Sequence, residues 1–273
     1  MREDLYIVCY LDVWGYRGIV KKISGDKKII KEVGDIFRGI TRILNQLKTV
    51  SKEGKYSETE KQLLQKIRFT FFSDSFLFAL PLFGLRYPNM EISEKEQILE
   101  CITAYLRIIS AFCWIFMGKL CLLRGGIAVG QYYEKIFNSP PALFIISEAW
   151  IEAVELEKKA NFPRIVLGNS VIEFLKEINE GTLPPCVSWF LCRLTPSDYY
   201  FLDIYKDFTF LEKEKAFQIL KDIKRLIETL LEHYAKDFEK LGKLYWFARY
   251  HNQKVKEINF PELCIPGFYI PIE

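Results

Sequence analysis

Two aspartates interrupt runs that otherwise have the composition of buried β-strands. Asp12 follows Leu5-Tyr6-Ile7-Val8-Cys9-Tyr10-Leu11, and Asp74 stands in Ser73-Asp74-Ser75, in the middle of the apolar run 69–79. A lone ionised carboxylate buried in such a strand costs on the order of several kcal/mol. A positive group must therefore sit beside or between Asp12 and Asp74. A divalent metal is one candidate. Arg124, inside a third apolar run at 120–129, is the other, and an Asp–Arg pair that fixes strand packing would need no metal.

The apolar periodicity places these residues on a coarse architecture. Residues 5–13 read as a buried strand, 29–47 and 58–67 as helices, and 69–80 as two strands folded about Ser73-Asp74-Ser75. A long helix over 92–117 is apolar around most of its circumference and should be buried. Residues 120–129 return as a strand, followed by a helix at 149–160, a short strand at 164–167 and a helix at 170–178. Strands are expected at 189–194 and 199–205, separated by Thr195-Pro196-Ser197-Asp198. From 211 to about 258 the chain is charged and mostly helical. This order predicts an α+β domain with helices on one face of a sheet over residues 1–210, and a helical C-terminal extension over 211–273.

Composition narrows the function classes. Of 273 residues, 50% are apolar and 15% aromatic, enough for a substantial core, while a net charge of +3 gives no reason to expect a nucleic-acid partner. Lys21, Lys22, Lys27, Lys28 and Lys31 read as an exposed turn and helix start. Seven cysteines without a CxxC pair or Cys/His cluster suggest neither a disulfide framework nor a zinc site, and fit a reducing cytoplasm. Met1-Arg2-Glu3-Asp4 lacks the order of a signal peptide. The longest candidate membrane span, 108–118, is about half the required length, so no membrane association is expected. His233 and His251 are the only histidines, and a surface or capping role is the expectation for both.

If the strands bearing Asp12 and Asp74 are neighbours, both carboxylates meet at one edge of the sheet. There they can hold two magnesium or manganese ions, which activate an attacking hydroxyl and stabilise a leaving oxygen in phosphoryl transfer. Gly15 permits close approach of backbone to phosphate. Trp14 and Tyr16 can stack on a base or pack in the core. The glycines of Arg124-Gly125-Gly126-Ile127-Ala128-Val129-Gly130 do not open a helix, which argues against a dinucleotide fingerprint; they admit either a neighbouring backbone or a nucleotide.

Three segments together resemble the class III nucleotidyl cyclases. Asp12-Val13-Trp14-Gly15-Tyr16 is similar to the family's first metal motif, Asp-Ile-x-Gly-Phe. Ser73-Asp74-Ser75 occupies the place of its second metal aspartate, and Arg124-Gly125-Gly126-Ile127-Ala128-Val129-Gly130 resembles its Arg-x-Gly-Ile-x-x-Gly strand. The variant forms are closer to a bacterial branch that includes the pyrimidine cyclases of antiphage defence. Ala153-Val154-Glu155-Leu156-Glu157 with Phe162-Pro163-Arg164-Ile165, and Tyr245-Trp246 with Tyr250-His251-Asn252, also resemble that branch.

The resemblance implies a palm/ferredoxin-like nucleotidyl cyclase sheet, and cyclisation of a nucleoside triphosphate by a homodimer whose active sites lie between subunits. It implies Asp12, Asp74 and the Val13 carbonyl as holders of two Mg2+ or Mn2+ ions, and Asp12, Asp74 and Arg124 as the catalytic set. Val13, Trp14, Gly15, Tyr16, Ser73, Ser75 and Gly126 would surround the nucleotide. The family's transition-state Asn and Arg fall on Ile151 and Glu155. Either Arg124, Lys158, Lys159 or Arg164 supplies the missing charge, or the chain is an inactive nucleotide sensor. An enzyme making oligonucleotides and a dimerisation module stapled by an Asp–Arg pair are the remaining alternatives.

Overall fold

The computed structural model describes residues 5–14, 65–83, 93–118, 121–138, 141–193 and 198–268. The helix expected at 29–47, most of that at 58–67, and the lysines from Lys21 to Lys31 lie outside them. Strand β1, Leu5–Val13, lies inside the sheet with a partner on each side. On one side it pairs antiparallel with β3, Ser75–Pro81, which forms a hairpin with β2, Arg68–Phe72. On the other it pairs antiparallel with β4, Leu123–Asn138.

Beyond β4 come β6 (Ile165–Leu167, parallel to β4), β8 (Phe201–Leu202) and β7 (Leu191–Cys192). The order among described residues is β2-β3-β1-β4-β6-β8-β7, with β5 (Pro141–Ser147) paired to the outer part of β4. The fold is α+β.

Strand side chains alternate between faces, and β1 is apolar on both because both are covered. Ile7, Cys9, Leu11 and Val13 face a large core built on helix α1, Glu94–Met117. Ser93 starts α1 with a capping box closed by Glu96. It matches the helix expected at 92–117, and by length and mean hydropathy (1.7) it could cross a membrane, unlike the shorter stretch 108–118 weighed from sequence. Its buried positions, including Ile98, Ile102, Tyr105, Ile109, Phe112 and Phe116, instead pack beneath the sheet. Each fully buried side chain of this size contributes ~1.5–3 kcal/mol.

Helices α3 (Asn169–Ile178) and α4 (Pro185–Ser188) join the same core. So do the C-terminal helices α5 (Lys213–His233) and α6 (Phe238–Glu257), through Leu220, Ile223, Leu244 and Phe247 among others.

Among the described residues, the opposite face carries one helix, α2, Glu148–Ala160. Its Ala149, Ala153, Leu156 and Ala160 lie on Tyr6, Val8, Leu77, Ala79 and Ala128. Close approach is possible because Gly126 has no side chain; a Cβ there would strike the Ala153 carbonyl and the Leu156 Cβ. The backbone-packing alternative for this glycine is the contact observed.

Three strand expectations need correction. The expected strands at 189–194 and 199–205 shrink to Leu191–Cys192 and Phe201–Leu202. Trp189 ends α4, and the Asp203 carboxylate accepts the Tyr205 N–H at 3.1 Å, turning the chain into a 3-10 segment at Lys206–Phe210. The strand expected at 120–129 extends to Asn138 and turns back through β5, forming a ribbon that the apolar runs alone did not reveal.

Candidate active site

The pairing of β1 with β3 and β4 brings the predicted residues together. Asp12 stands opposite Ser75 on one side and Arg124 on the other, so all three side chains lie in one row on the α2 face. Asp74 follows in the two-residue turn Ser73-Asp74, where Ser73 takes a positive φ of 56°. The Asp74 carbonyl accepts the Val13 N–H at 3.0 Å, which ties the two aspartate-bearing segments together. Tyr10, one step back along β1, donates its hydroxyl to Ser75 Oγ at 2.7 Å.

Helix α2 adds a charge that sequence reasoning did not single out. Ala153 rests over Gly126, and one turn later Glu157 arrives above Arg124, two residues along β4. Arg124 consequently bridges two carboxylates, with Nη2 3.3 Å from Asp12 Oδ2 and Nε in an ion pair with Glu157 Oε1. One guanidinium faces three carboxylates, because Asp74 is close enough to act on both partners. Burial pushes the Asp12 carboxyl up to about 6, helped by the negative charges of Glu157 and Asp74 and opposed by Arg124. Burial likewise raises Glu157. The Asp–Arg pair considered from sequence is therefore present, yet it leaves surplus negative charge.

These groups line an open cleft of about 770 Å³, whose wall includes Tyr10, Asp12, Val13, Trp14, Asp74, Ser75, Arg124, Glu157 and Lys158. Asp237, Glu239, Lys240 and Lys243, at the start of α6, line it as well. Trp14 is buried, and its ring meets Tyr234 edge to face at 5.7 Å, so one of its two predicted roles, packing, is visible. Ser73 is exposed on the turn and Gly126 lies under α2. Gly15 and Tyr16 lie outside the described residues.

The donor set fits a divalent cation held in a particular way. Asp12 and Asp74 offer hard carboxylate oxygens in a region of excess negative charge. Among the described residues, no group of three or more His, Cys, Asp or Glu forms a metal cage. Magnesium is commonly bound by one or two carboxylates, its remaining positions taken by water and substrate phosphates. Two aspartates in an open cleft suit that mode and not a closed structural site.

The other basic candidates separate. Lys158 is exposed but borders the cleft, and Lys159 is exposed on α2 without lining it. Arg164 is committed elsewhere: its guanidinium binds both Asp198 oxygens at 2.8 and 3.3 Å and lies among the rings of Phe162, Phe201 and Trp246. Ile151 is 64% exposed and Glu155 is exposed as well, and neither lines the cleft.

The C-terminal motif proves structural. His233 is exposed in the last turn of α5, as expected, but the surface role expected of His251 is incorrect. His251 is fully buried, with Nε2 3.1 Å from the Leu263 carbonyl and Nδ1 2.9 Å from the Tyr205 hydroxyl. A carbonyl only accepts, so Nε2 carries the proton and Nδ1 accepts from Tyr205. Asn252 clasps the tail through the N–H and carbonyl of Ile265 and the carbonyl of Phe268. Tyr250 donates to Asp203 at 2.7 Å, and Lys254 pairs with the same buried carboxylate at 2.8 Å.

No family model matches the chain, and no curated protein matches it. Solved structures resemble it in backbone course, two of them cyclase domains. One is the adenylyl cyclase CyaB from P. aeruginosa, with 9% identity over 63% of this chain and 81% of that one and a TM-score of 0.38. The other is the non-canonical dimeric guanylyl cyclase domain of the RhoGC fusion protein from the aquatic fungus Blastocladiella emersonii. It shows 14% identity over 64% of this chain and 84% of that one, with a TM-score of 0.37. Likeness at this level gives no residue a role, so the functional reading rests on the cleft itself.

Proposed function

We propose that the protein is a metal-dependent nucleotidyl cyclase, converting a nucleoside triphosphate to a 3′,5′-cyclic mononucleotide and pyrophosphate. The observation that carries this reading is the meeting of Asp12 and Asp74, distant in sequence, beside Arg124 in one cleft of about 770 Å³. That volume is in the range of small-molecule sites. The motifs around these residues are those whose order resembles the class III cyclases.

In the reaction a bond forms between the ribose 3′ oxygen and the α-phosphorus, the bond to the bridging oxygen of the β-phosphate breaks, and the hydroxyl proton is lost. Two bound Mg2+ or Mn2+ ions would supply activation of the hydroxyl and neutralisation of phosphate charge. Asp12 and Asp74, with the Val13 carbonyl, would hold them. Arg124, steadied by Glu157, stands where it can turn from Asp12 toward an α-phosphate oxygen once cations neutralise the carboxylates. Tyr10 fixes Ser75, and so the strand end that aims Asp74.

The finer reading is a pyrimidine nucleotide made as a signal in antiphage defence by a homodimer. The β4–β5 ribbon supports the dimer: Tyr133, Phe137, Phe144 and Ile146 share one face of it and are between 42% and 60% exposed. A two-stranded ribbon without a covered face is marginal in water. A second reading, an inactive nucleotide sensor, is favoured by Ile151 and Glu155, which stand outside the cleft where the resemblance places Asn and Arg.

The deciding experiment incubates the protein with manganese and each of the four ribonucleoside triphosphates and identifies products by mass spectrometry, with Asp74→Asn as control. A cyclic mononucleotide from the wild type alone supports the cyclase and names its base. Larger products would mean an oligonucleotide synthase. Metal-dependent nucleotide binding without product would favour the sensor.

A further inference from the structure

Part of the cleft lining comes from the C-terminal extension, at the start of α6. Lys240 and Lys243 lie one turn apart at the start of α6, and both line the cleft that holds Asp12 and Asp74. Lys243 has its side chain only 17% exposed, and its ammonium is 2.7 Å from Glu239, which is 81% exposed. Lys240 is 3.0 Å from Asp237 and lies 4.5 Å from the centre of the Tyr234 ring. Tyr234 packs in turn against Trp14, two residues beyond Asp12. The chain Trp14–Tyr234–Lys240 thus couples the lysines to the carboxylate cluster.

The charge lining this space comes from two parts of the fold. Asp12, Asp74 and Glu157 cluster with Arg124 at the sheet and α2. Lys240 and Lys243 line the same cleft from the start of α6, each paired with a carboxylate of its own segment. Ion pairs with exposed partners contribute little, typically under about 1 kcal/mol, so a polyphosphate in the cleft competes for the ammonium groups at small cost. Arg124, engaged by two carboxylates, has less to spare. A group bearing clustered negative charge on one end and cation-binding oxygens on the other fits such a lining.

Resting on the cyclase reading, we propose that Lys240 and Lys243 bind the terminal phosphates of the nucleoside triphosphate, and the pyrophosphate it leaves. The C-terminal helix α6 is then a wall of the active site, supplying positive charge that Ile151 and Glu155 do not. The lysines act on binding and on departure of pyrophosphate, while Asp12 and Asp74 serve the reacting end.

The test compares wild type with the Lys240→Ala/Lys243→Ala double variant in two assays. Steady-state kinetics with the triphosphate that the wild type accepts should show KM raised about tenfold or more. Calorimetric titration with manganese and inorganic pyrophosphate should show affinity weakened by a similar factor. The Lys240→Arg/Lys243→Arg variant should recover most of both, and Lys236→Ala, at a neighbouring position that does not line the cleft, should change neither. Unchanged KM and unchanged pyrophosphate affinity in the alanine variant would overturn the assignment. Absence of product from the wild type would defeat the cyclase reading separately, and the pyrophosphate titration would still decide the lysines. If the alanine variant does not fold, Lys→Gln at both positions carries the same comparison.

Discussion

Two clusters of ionisable groups in this protein are built from similar parts and end differently. Around Asp203, every strong polar group finds a partner within the fold: Lys254 pairs at 2.8 Å, Tyr250 donates at 2.7 Å, and the Tyr205 N–H donates at 3.1 Å. Around Asp12, one guanidinium is shared by two carboxylates with a third close by, at the wall of an open cleft. The first cluster is closed and holds the C-terminal helices to the sheet. The second is open, and its surplus of carboxylates over guanidinium is what the proposed metal ions would balance. Polar residues in a core therefore differ in meaning by their partner count.

The largest effect should come from breaking the closed cluster. Lys254→Met leaves the Asp203 carboxylate buried without its cation and should cost ~3–5 kcal/mol of unfolding free energy. Chemical denaturation of the variant checks it. In the open cluster the expectation inverts. Asp74→Asn should lower cyclisation by about 100- to 1000-fold, while its melting temperature stays near that of the wild type. A large loss of stability there, with activity retained, would mean that Asp74 is a packing residue.

The closed cluster also predicts a pH response through its neighbour His251. Burial holds this imidazole down to about 4, against a small opposing effect of the Leu263 carbonyl and a further lowering by Lys224. Its folded pKa lies below the unfolded one, so the unfolded chain takes up the proton first as pH falls. The stabilisation is full above about pH 6.5 and is lost as pH drops toward 4, amounting to at most about 3 kcal/mol. Thermal unfolding between pH 7.5 and 4.5 should show this slope. His251→Gln, whose amide can donate to Leu263 and accept from Tyr205, should flatten it.

The smallest effect concerns the contact that sets the distance between α2 and the sheet. Gly126→Ala would drive a Cβ against the Ala153 carbonyl. Overpacking of this kind costs ~1–3 kcal/mol, and the displaced helix would carry Glu157 away from Arg124. A modest fall in stability together with a fall in activity is expected, read by melting temperature and initial rate in one preparation.

How much of this was legible in the sequence depended on burial. Strand β1, the β2–β3 hairpin, α1 and α2 were readable because elements covered on one or both faces carry continuous or periodic apolar residues. The pairing of Asp12 with Asp74 was readable because charges are conspicuous in such runs. The β4–β5 ribbon was missed because its outer positions alternate with Glu134 and Lys135; Asn138-Ser139-Pro140-Pro141 between two apolar stretches was the turn signal available. Glu157 stood in the segment 153–157 that resembles the cyclase branch but was given no role there, and only the seat of α2 on Gly126 makes it part of the site. His251 was misread because its burial comes from long-range packing of α6 on Tyr205 and the tail. Lys240 and Lys243 lie more than 160 residues from Asp74, and no local pattern connects them to the cleft.

On the proposed reading, the Asp12–Asp74 cleft takes a metal ion and a nucleotide together. The most direct measurement is calorimetric titration of wild type and Asp74→Asn with manganese alone, with each ribonucleoside triphosphate alone, and with both. The prediction is tight binding in the wild type only when both are present, and its loss in Asp74→Asn with the fold intact. Nucleotide binding that ignores manganese, or that survives Asp74→Asn unchanged, would contradict it.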